Sequence, residues 1–374
     1  MSPPTEGLQR ISRLAPLPEL FARLDALARP IAPKNLEPAA AVGATLAANV
    51  AANAAWPAAP TALRDGWAVS ADLVSDAGPY APAPLSPAPA WVETGAPMPG
   101  GTDAVLPLDA VTVTTSGTEA HASAAPGDGV IAAGADATKG GILRRAGERL
   151  RPSDAAVLRA AGIASVSVRA PRIRIFSVGV PSRGPKDSIS PMIARAVEAE
   201  GGLAEVAQAA SLESALLDRA SDATITIGGT GSGRRDASVK TLARVGRVEI
   251  HGFGIAPGET AALGAVDGRP VLMLPGRLDA ALAAFLVVGR RLIARLAGQS
   301  GDDCGTPVKL TRKITSTVGL AEVVLLHRVP DGAEPLASTL FTWSALARAD
   351  GWTLVPPDSE GFAAGATIEM RSLP

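Results

Sequence analysis

Aromatic side chains are scarce in this chain, at 3% of its 374 residues, so its cores have to be assembled from Ala, Val, Leu and Ile. A single cysteine, Cys304, excludes an internal disulfide and a thiolate metal cluster. The three histidines, His121, His251 and His327, lie far apart and lack a partner at helical spacing, so each reads as a structural or surface histidine. No run of about 18 apolar residues occurs and no apolar leader opens the chain, which argues against a membrane partner. Charge is almost balanced, 35 basic against 36 acidic residues, so no basic surface for nucleic acid is expected. Together these absences lead us to expect a soluble, cytoplasmic protein.

What is present is a change of texture along the chain. The length suggests two to four domains. Leu17, Leu20, Leu24 and Leu27 fall on one helical face, Pro30 breaks it, and a second, alanine-rich helix is expected over residues 39–52. Residues 56–140 are dense in Pro and Gly, with short β-type runs, and read as a small β domain inserted into the helical one. Helical pattern returns over residues 153–161, with Ser153 as expected N-cap and Gly162 as terminator. Beyond Arg169-Ala170-Pro171 the pattern alternates: strands over 172–178, 203–207, 223–227, 248–250 and 271–274, helices over 189–200, 212–220 and 279–297. Such alternation implies a parallel sheet covered on both faces, with ligands bound beyond the strand carboxyl ends. From about residue 307 short strands and turns resume, a second small β domain.

The most informative stretch is residues 223–246, ATITIGGTGSGRRDASVKTLARVG. A β-branched run is followed by Gly228, Gly229, Thr230, Gly231, Ser232 and Gly233, and then by a helix with Val239, Leu242 and Ala243 on one face, closed by Gly246. Strand, glycine loop and helix together aim backbone N–H groups at an anion, and the two hydroxyls add donors. A tight connection in any α/β protein would look the same. The loop is neither a Walker A sequence nor a GxGxxG fingerprint. Two polar turns mark the β domain, Leu63-Arg64-Asp65-Gly66-Trp67 and Glu93-Thr94-Gly95-Ala96-Pro97; turn chemistry alone accounts for Asp65 and Thr94.

In order along the chain these motifs resemble the molybdopterin molybdenumtransferase family, the molybdenum insertases also found as the E domain of gephyrin. The resemblance rests on Asp65-Gly66-Trp67-Ala68, Thr94-Gly95-Ala96-Pro97 with Asp103-Ala104-Val105, and Arg144-Arg145-Ala146-Gly147-Glu148. It continues through the glycine loop with Asp236 and Lys240, Pro257-Gly258, and Leu274-Pro275-Gly276. It implies an elongated α/β multi-domain protein. Residues 1–55 and 141–170 would form a discontinuous helical domain and 56–140 the β insertion. Residues 171–300 would form a parallel-sheet molybdopterin-binding domain and 306–374 a β barrel. It also implies a homodimer whose cleft joins the α/β domain of one chain to the β insertion of the other. The implied reaction moves molybdate onto an adenylylated molybdopterin with Mg2+ and releases AMP. A molybdopterin adenylyltransferase or a client molybdoenzyme would be further partners.

On that resemblance the loop glycines, with Pro275, Gly276 and Arg277, would bind the pterin phosphate. Asp65, Thr94, Asp236 and Glu198 would serve the chemistry. Magnesium prefers oxygen ligands, one or two carboxylates with phosphate and water, which makes Asp236 and Asp65 the candidates. Asp236 also suits an N-cap, and Glu198 a solvated helix face. The departures are specific. Val178-Gly179-Val180-Pro181 stands where the family has Thr-Gly-Asp-Glu, Glu259 replaces a lysine, and Arg277 follows Pro275-Gly276 where the family has Asn. Arg234 and Arg235 add positive charge to the loop. Three readings stay open: an insertase with a rebuilt site, a catalytically impaired paralogue that binds or carries molybdopterin for a molybdoenzyme, and a scaffolding protein, for which only the shared fold speaks.

Overall fold

The computed structural model describes residues 9–115, 117–179, 187–301 and 305–374; Val180, Pro181 and Cys304 lie outside them. Helix α1 (Leu17–Leu27) buries Leu17, Leu20 and Leu24. The alanine-rich helix expected over 39–52 does not form. Thr45–Leu46 and Lys34–Leu36 instead pair with opposite edges of Val166–Arg169, and Val50–Ala51 pairs with Ile142–Arg144. Alanine permits a helix but does not enforce one, and Gly43, at φ +86°, is in a left-handed conformation that would interrupt it. Helix α2 (Pro152–Ala160) starts one turn-residue earlier than expected. Its N-cap is Arg151 and not Ser153, with Pro152 in the first turn and the Arg151 N–H donating to the Asp154 carboxylate at 2.9 Å.

The inserted β unit contains a sheet of β1 (Gly66–Val69), β2 (Ala90–Val92) and β3 (Ala104–Leu106), in the order β2-β1-β3. Trp67 and Trp91 oppose each other across β1 and β2 with ring centroids 5.2 Å apart, edge to face.

The α/β unit is built on β4 (Arg172–Ser177), β5 (Leu203–Val206), β6 (Ala223–Ile227), β7 (Arg247–His251), β8 (Ala262–Val266) and β9 (Arg269–Leu274), ordered β5-β4-β6-β9-β8-β7. Strands β5, β4, β6 and β9 are parallel, but β8 is reversed and pairs antiparallel with both β9 and β7, so the sheet is mixed rather than parallel throughout. The cause is local. Asp267 and Gly268 both hold positive φ (50° and 76°), the geometry of a two-residue hairpin, and they turn β8 straight back into β9.

Helices α3 (Ile189–Ala199), α4 (Leu212–Leu217), α5 (Ser238–Val245), α6 (Leu278–Ala284) and α7 (Arg290–Ala297) cover the sheet. Successive residues of β9 face opposite ways. Leu272 and Leu274 join the core made with α1, α3, α6 and α7, whereas Val271 and Met273 join Leu216, Val239 and Leu242 of α4 and α5. The single closing helix expected over 279–297 is interrupted by a π-helical turn, Phe285–Gly289, where Gly289 leaves room for the Phe285 ring.

The C-terminal unit comprises β10 (Thr306–Lys309), β11 (Ala321–Val329), β12 (Gly332–Ala337), helix α8 (Trp343–Arg348), β13 (Gly351–Val355) and β14 (Thr367–Ser372). Its sheet runs β11-β13-β14-β10, with β12 on the other edge of β11 and a single bridge from Leu310, just after β10, to Ala333 of β12. Ile255–Ala256 of the α/β unit pairs with the start of β11. Val323, Leu325 and Trp352 continue the α/β core into this unit, which sets α8 beside the strand ends.

Candidate active site

Strands β4, β6 and β9 end together. The Val178 N–H donates to the Ile227 carbonyl at 2.8 Å and the Gly228 N–H to the Leu274 carbonyl at 2.9 Å. Gly228 sits at φ +101°, and a Cβ there would lie 2.8 Å from the Val178 oxygen; a Cβ on Gly276 would lie 3.3 Å from the Gly228 Cα. Glycine at both positions is what lets the two turns meet backbone to backbone.

Beyond Gly228 the loop is held by its carbonyls. Ser238 Oγ donates to Gly228 O at 2.9 Å, and the Ser238 N–H to Gly229 O at 3.0 Å. His251 Nε2 lies 2.9 Å from Thr230 O, so that nitrogen carries the proton. Gln9, from the N-terminal segment and almost fully buried, donates to Gly229 O at 3.2 Å and to Gly231 O at 2.9 Å, while its oxygen accepts from the Val239 N–H at 3.0 Å. In a trans peptide the N–H opposes the preceding C=O. Carbonyls anchored toward the protein at 228 to 231 therefore turn the N–H groups of Gly229, Gly231 and Ser232 the other way, while that of Thr230 is buried with its residue. These N–H groups take part in no hydrogen bond among the described residues.

The same anchoring changes the expected roles. Thr230 is buried, its hydroxyl 3.3 Å from that of Thr260, so only Ser232 presents an exposed hydroxyl. Asp236 is not an N-cap: α5 begins after Ala237 without a side-chain cap, and the Asp236 carboxylate accepts the Gly233 N–H at 2.9 Å from within the loop. The first turn of α5 is partly occupied by Gln9.

A cleft of about 780 Å³ opens beside these strand ends, lined by Ser188, Ile189, Gly276 and Leu278 on one side and by Trp343, Leu346 and Ala347 of α8 on the other. Arg277 lies at its edge but forks onto Asp279 at 3.1 and 2.5 Å, which holds the guanidinium still more firmly protonated. The Glu259 carboxylate accepts the Gly258 N–H at 3.0 Å. Arg234 and Arg235 are exposed and form no ion pair among the described residues. Asp187 caps α3, accepting from the Ile189 and Ser190 N–H groups at 3.1 and 3.0 Å. Burial would raise its carboxyl pKa, but the hydrogen bonds it accepts outweigh that and hold the pKa below the usual range.

The remaining expected residues stand apart. Asp65 accepts from the Thr94 N–H at 2.7 Å and its hydroxyl at 2.9 Å, which holds this exposed carboxylate below the usual range. No hydrogen bond or ion pair among the described residues joins that pair to the glycine loop. Glu198 is in the last turn of α3, roughly 14 Å of helix from Ile189. It pairs with Arg195 at 2.7 Å and lines a separate cavity of about 360 Å³ with Lys34 and Gly201.

Comparison with known proteins gives this geometry its context. The model described as "MoeA N-terminal region (domain I and II)" matches residues 5–162, and that described as "Probable molybdopterin binding domain" matches residues 182–295. The chain is 28% identical over 382 residues to molybdopterin molybdenumtransferase 2 of Mycobacterium tuberculosis, covering 89% of this chain and 93% of that one. It belongs to the molybdopterin molybdenumtransferase family. A family member from Haemophilus influenzae is 29% identical over 56% of both chains. The fold is that of the MoeA protein of Pyrococcus horikoshii OT3, with a TM-score of 0.76, 22% identity, and coverage of 96% of this chain and 100% of that one. In this chain, Gln9, Asp187, His251 and Trp343 carry roles that the sequence motifs did not mark. Only Asp187, set before a helical run, carried a local signal, that of an N-cap.

Proposed function

We propose that this protein acts in molybdenum cofactor synthesis, inserting molybdate into adenylylated molybdopterin with release of AMP. The observation that supports the reading is the anchored loop, whose N–H groups at Gly229, Gly231 and Ser232 are turned away from the carbonyl anchors and would cradle the pterin phosphate. Among the described residues no group of three or more His, Cys, Asp or Glu side chains could hold a metal. Mg2+ often uses only one or two protein carboxylates with substrate phosphate and water, and Asp236 beside the cradle fits that mode. Bound there, the ion would neutralise charge on the phosphate undergoing cleavage. Asp236 would bind and orient it while shaping the loop through Gly233.

Asp65 and Thr94 enter this reading through a second copy of the chain, because within one chain nothing ties them to the loop. We assign the protein a homodimer in which the partner's Asp65 faces the cradle. The test is AMP release by the purified protein supplied with adenylylated molybdopterin, molybdate and Mg2+. Mixed dimers of Asp65→Ala and Asp236→Ala chains should regain up to a quarter to a half of the activity that each variant alone lacks. Tight binding without AMP release would turn the assignment to a carrier of the pterin, and no binding would end it.

A further inference from the structure

We infer that Trp343 is a stacking platform for a flat, fused nitrogen heterocycle held in the cleft next to Gly276; this rests on the phosphate-cradle reading above. In a chain where aromatics are 3% of residues, Trp343 leaves 83% of its surface exposed. Exposing a large apolar ring to water is unfavourable, and here the ring lines a broad, open cleft. The backbone beneath it is fixed. Thr342 caps α8, accepting the Ala345 N–H at 3.2 Å, and Ala345 is buried in the main core.

Trp343, Leu346 and Ala347 stand at helical spacing i, i+3 and i+4, so they form one wall. Ile189 and Leu278 form the facing apolar wall, and Gly276 contributes backbone between them. The volume, about 780 Å³, is within the range of small-molecule sites. Gly276 is also the residue that meets Gly228 at the root of the cradle. A ligand whose phosphate rests on the loop therefore has the cleft within reach of an attached ring. Adenylylated molybdopterin carries two such rings, adenine and pterin, and indole stacking serves either.

Wild-type protein, Trp343→Ala and Trp343→Phe should be titrated anaerobically with AMP and, separately, with molybdopterin, using calorimetry. Trp343→Ala should weaken binding of one of the two about tenfold, and Trp343→Phe should restore most of the loss; the ligand affected identifies the ring. Inorganic phosphate should compete equally well in both variants. Undiminished binding of both ligands by Trp343→Ala overturns the stacking role and leaves the cradle standing. So does a Phe variant as weak as Ala. Wild-type protein that binds neither ligand removes the cradle reading and the stacking role together.

Discussion

Gln9 and Gly231, 222 positions apart in sequence, are joined by a 2.9 Å hydrogen bond from the glutamine amide to the glycine carbonyl. The same side chain accepts from Val239, so one buried residue of the N-terminal segment ties the glycine loop to the helix after it. Gln9→Leu would leave those partners unpaired, which costs about 1–3 kcal/mol. Urea denaturation should show that loss, and amide exchange at Val239 should quicken. Unchanged exchange would mean that the loop holds its shape without Gln9.

The Asp236 carboxylate has two separable duties, accepting from Gly233 and supplying charge. Asp236→Asn keeps an oxygen for the Gly233 N–H but removes the charge; Asp236→Ala removes both. Under the proposed function Asn should raise the Mg2+ concentration needed for AMP release by tenfold or more while leaving Mg2+-free phosphate binding near wild type. Alanine should impair both. Identical behaviour of the two variants would reduce Asp236 to a loop fastener.

Asp65 is held charged first by the Thr94 N–H and then by its hydroxyl. Its folded pKa is lowered, so the interaction contributes fully above the ordinary aspartate range and is lost as pH falls through the lowered value. Thr94→Val keeps the stronger N–H bond, and the Asp65 pKa should move only partway back toward about 3.9. Carboxyl-carbon NMR titration reads this directly. A full return would make the hydroxyl the dominant contact.

Arginine charge around the cleft is unequal. Arg277 is already committed to Asp279, whereas Arg234 and Arg235 are exposed on the loop. Replacing Arg234 and Arg235 together by Ala should weaken AMP or phosphate binding roughly tenfold, since each charge-assisted contact is worth about 1.5–3 kcal/mol before solvent screening reduces it. The effect should shrink with salt. Arg277→Ala should cost less, and a reversed order would show that Asp279 releases Arg277 when ligand arrives.

Much of this architecture could be read from local chemistry. The β-branched run of β6, the glycines after it and the apolar face of α5 agree with one another, and strand, loop and helix stand where expected. Residues 39–52 misled because alanine is compatible with both outcomes, and strand partners far along the chain decided between them. Strand β8, ALGAV, holds only one β-branched residue, although Asp267-Gly268 after it is a hairpin signal that would have exposed the antiparallel half of the sheet. Gln9 and Trp343 were out of reach for another reason. Each gains its place from units distant in sequence, and neither has a neighbouring motif to mark it.

The Asp267-Gly268 hairpin also bears on how the chain reaches this structure. Strands β8 and β9 can pair on the microsecond scale of hairpin closure, whereas β4, β5 and β6 need helical crossovers before any of them finds a neighbour. The antiparallel side should therefore be the seed of folding, and the glycine loop, which depends on β6 and β9 meeting, should be among the last parts to mature. Pulse-labelled exchange during refolding would find amides of β8 and β9 protected first; early protection in β4 and β5 would reverse that order. A destabilised hairpin would then delay the arrival of a functional site whose own residues are untouched.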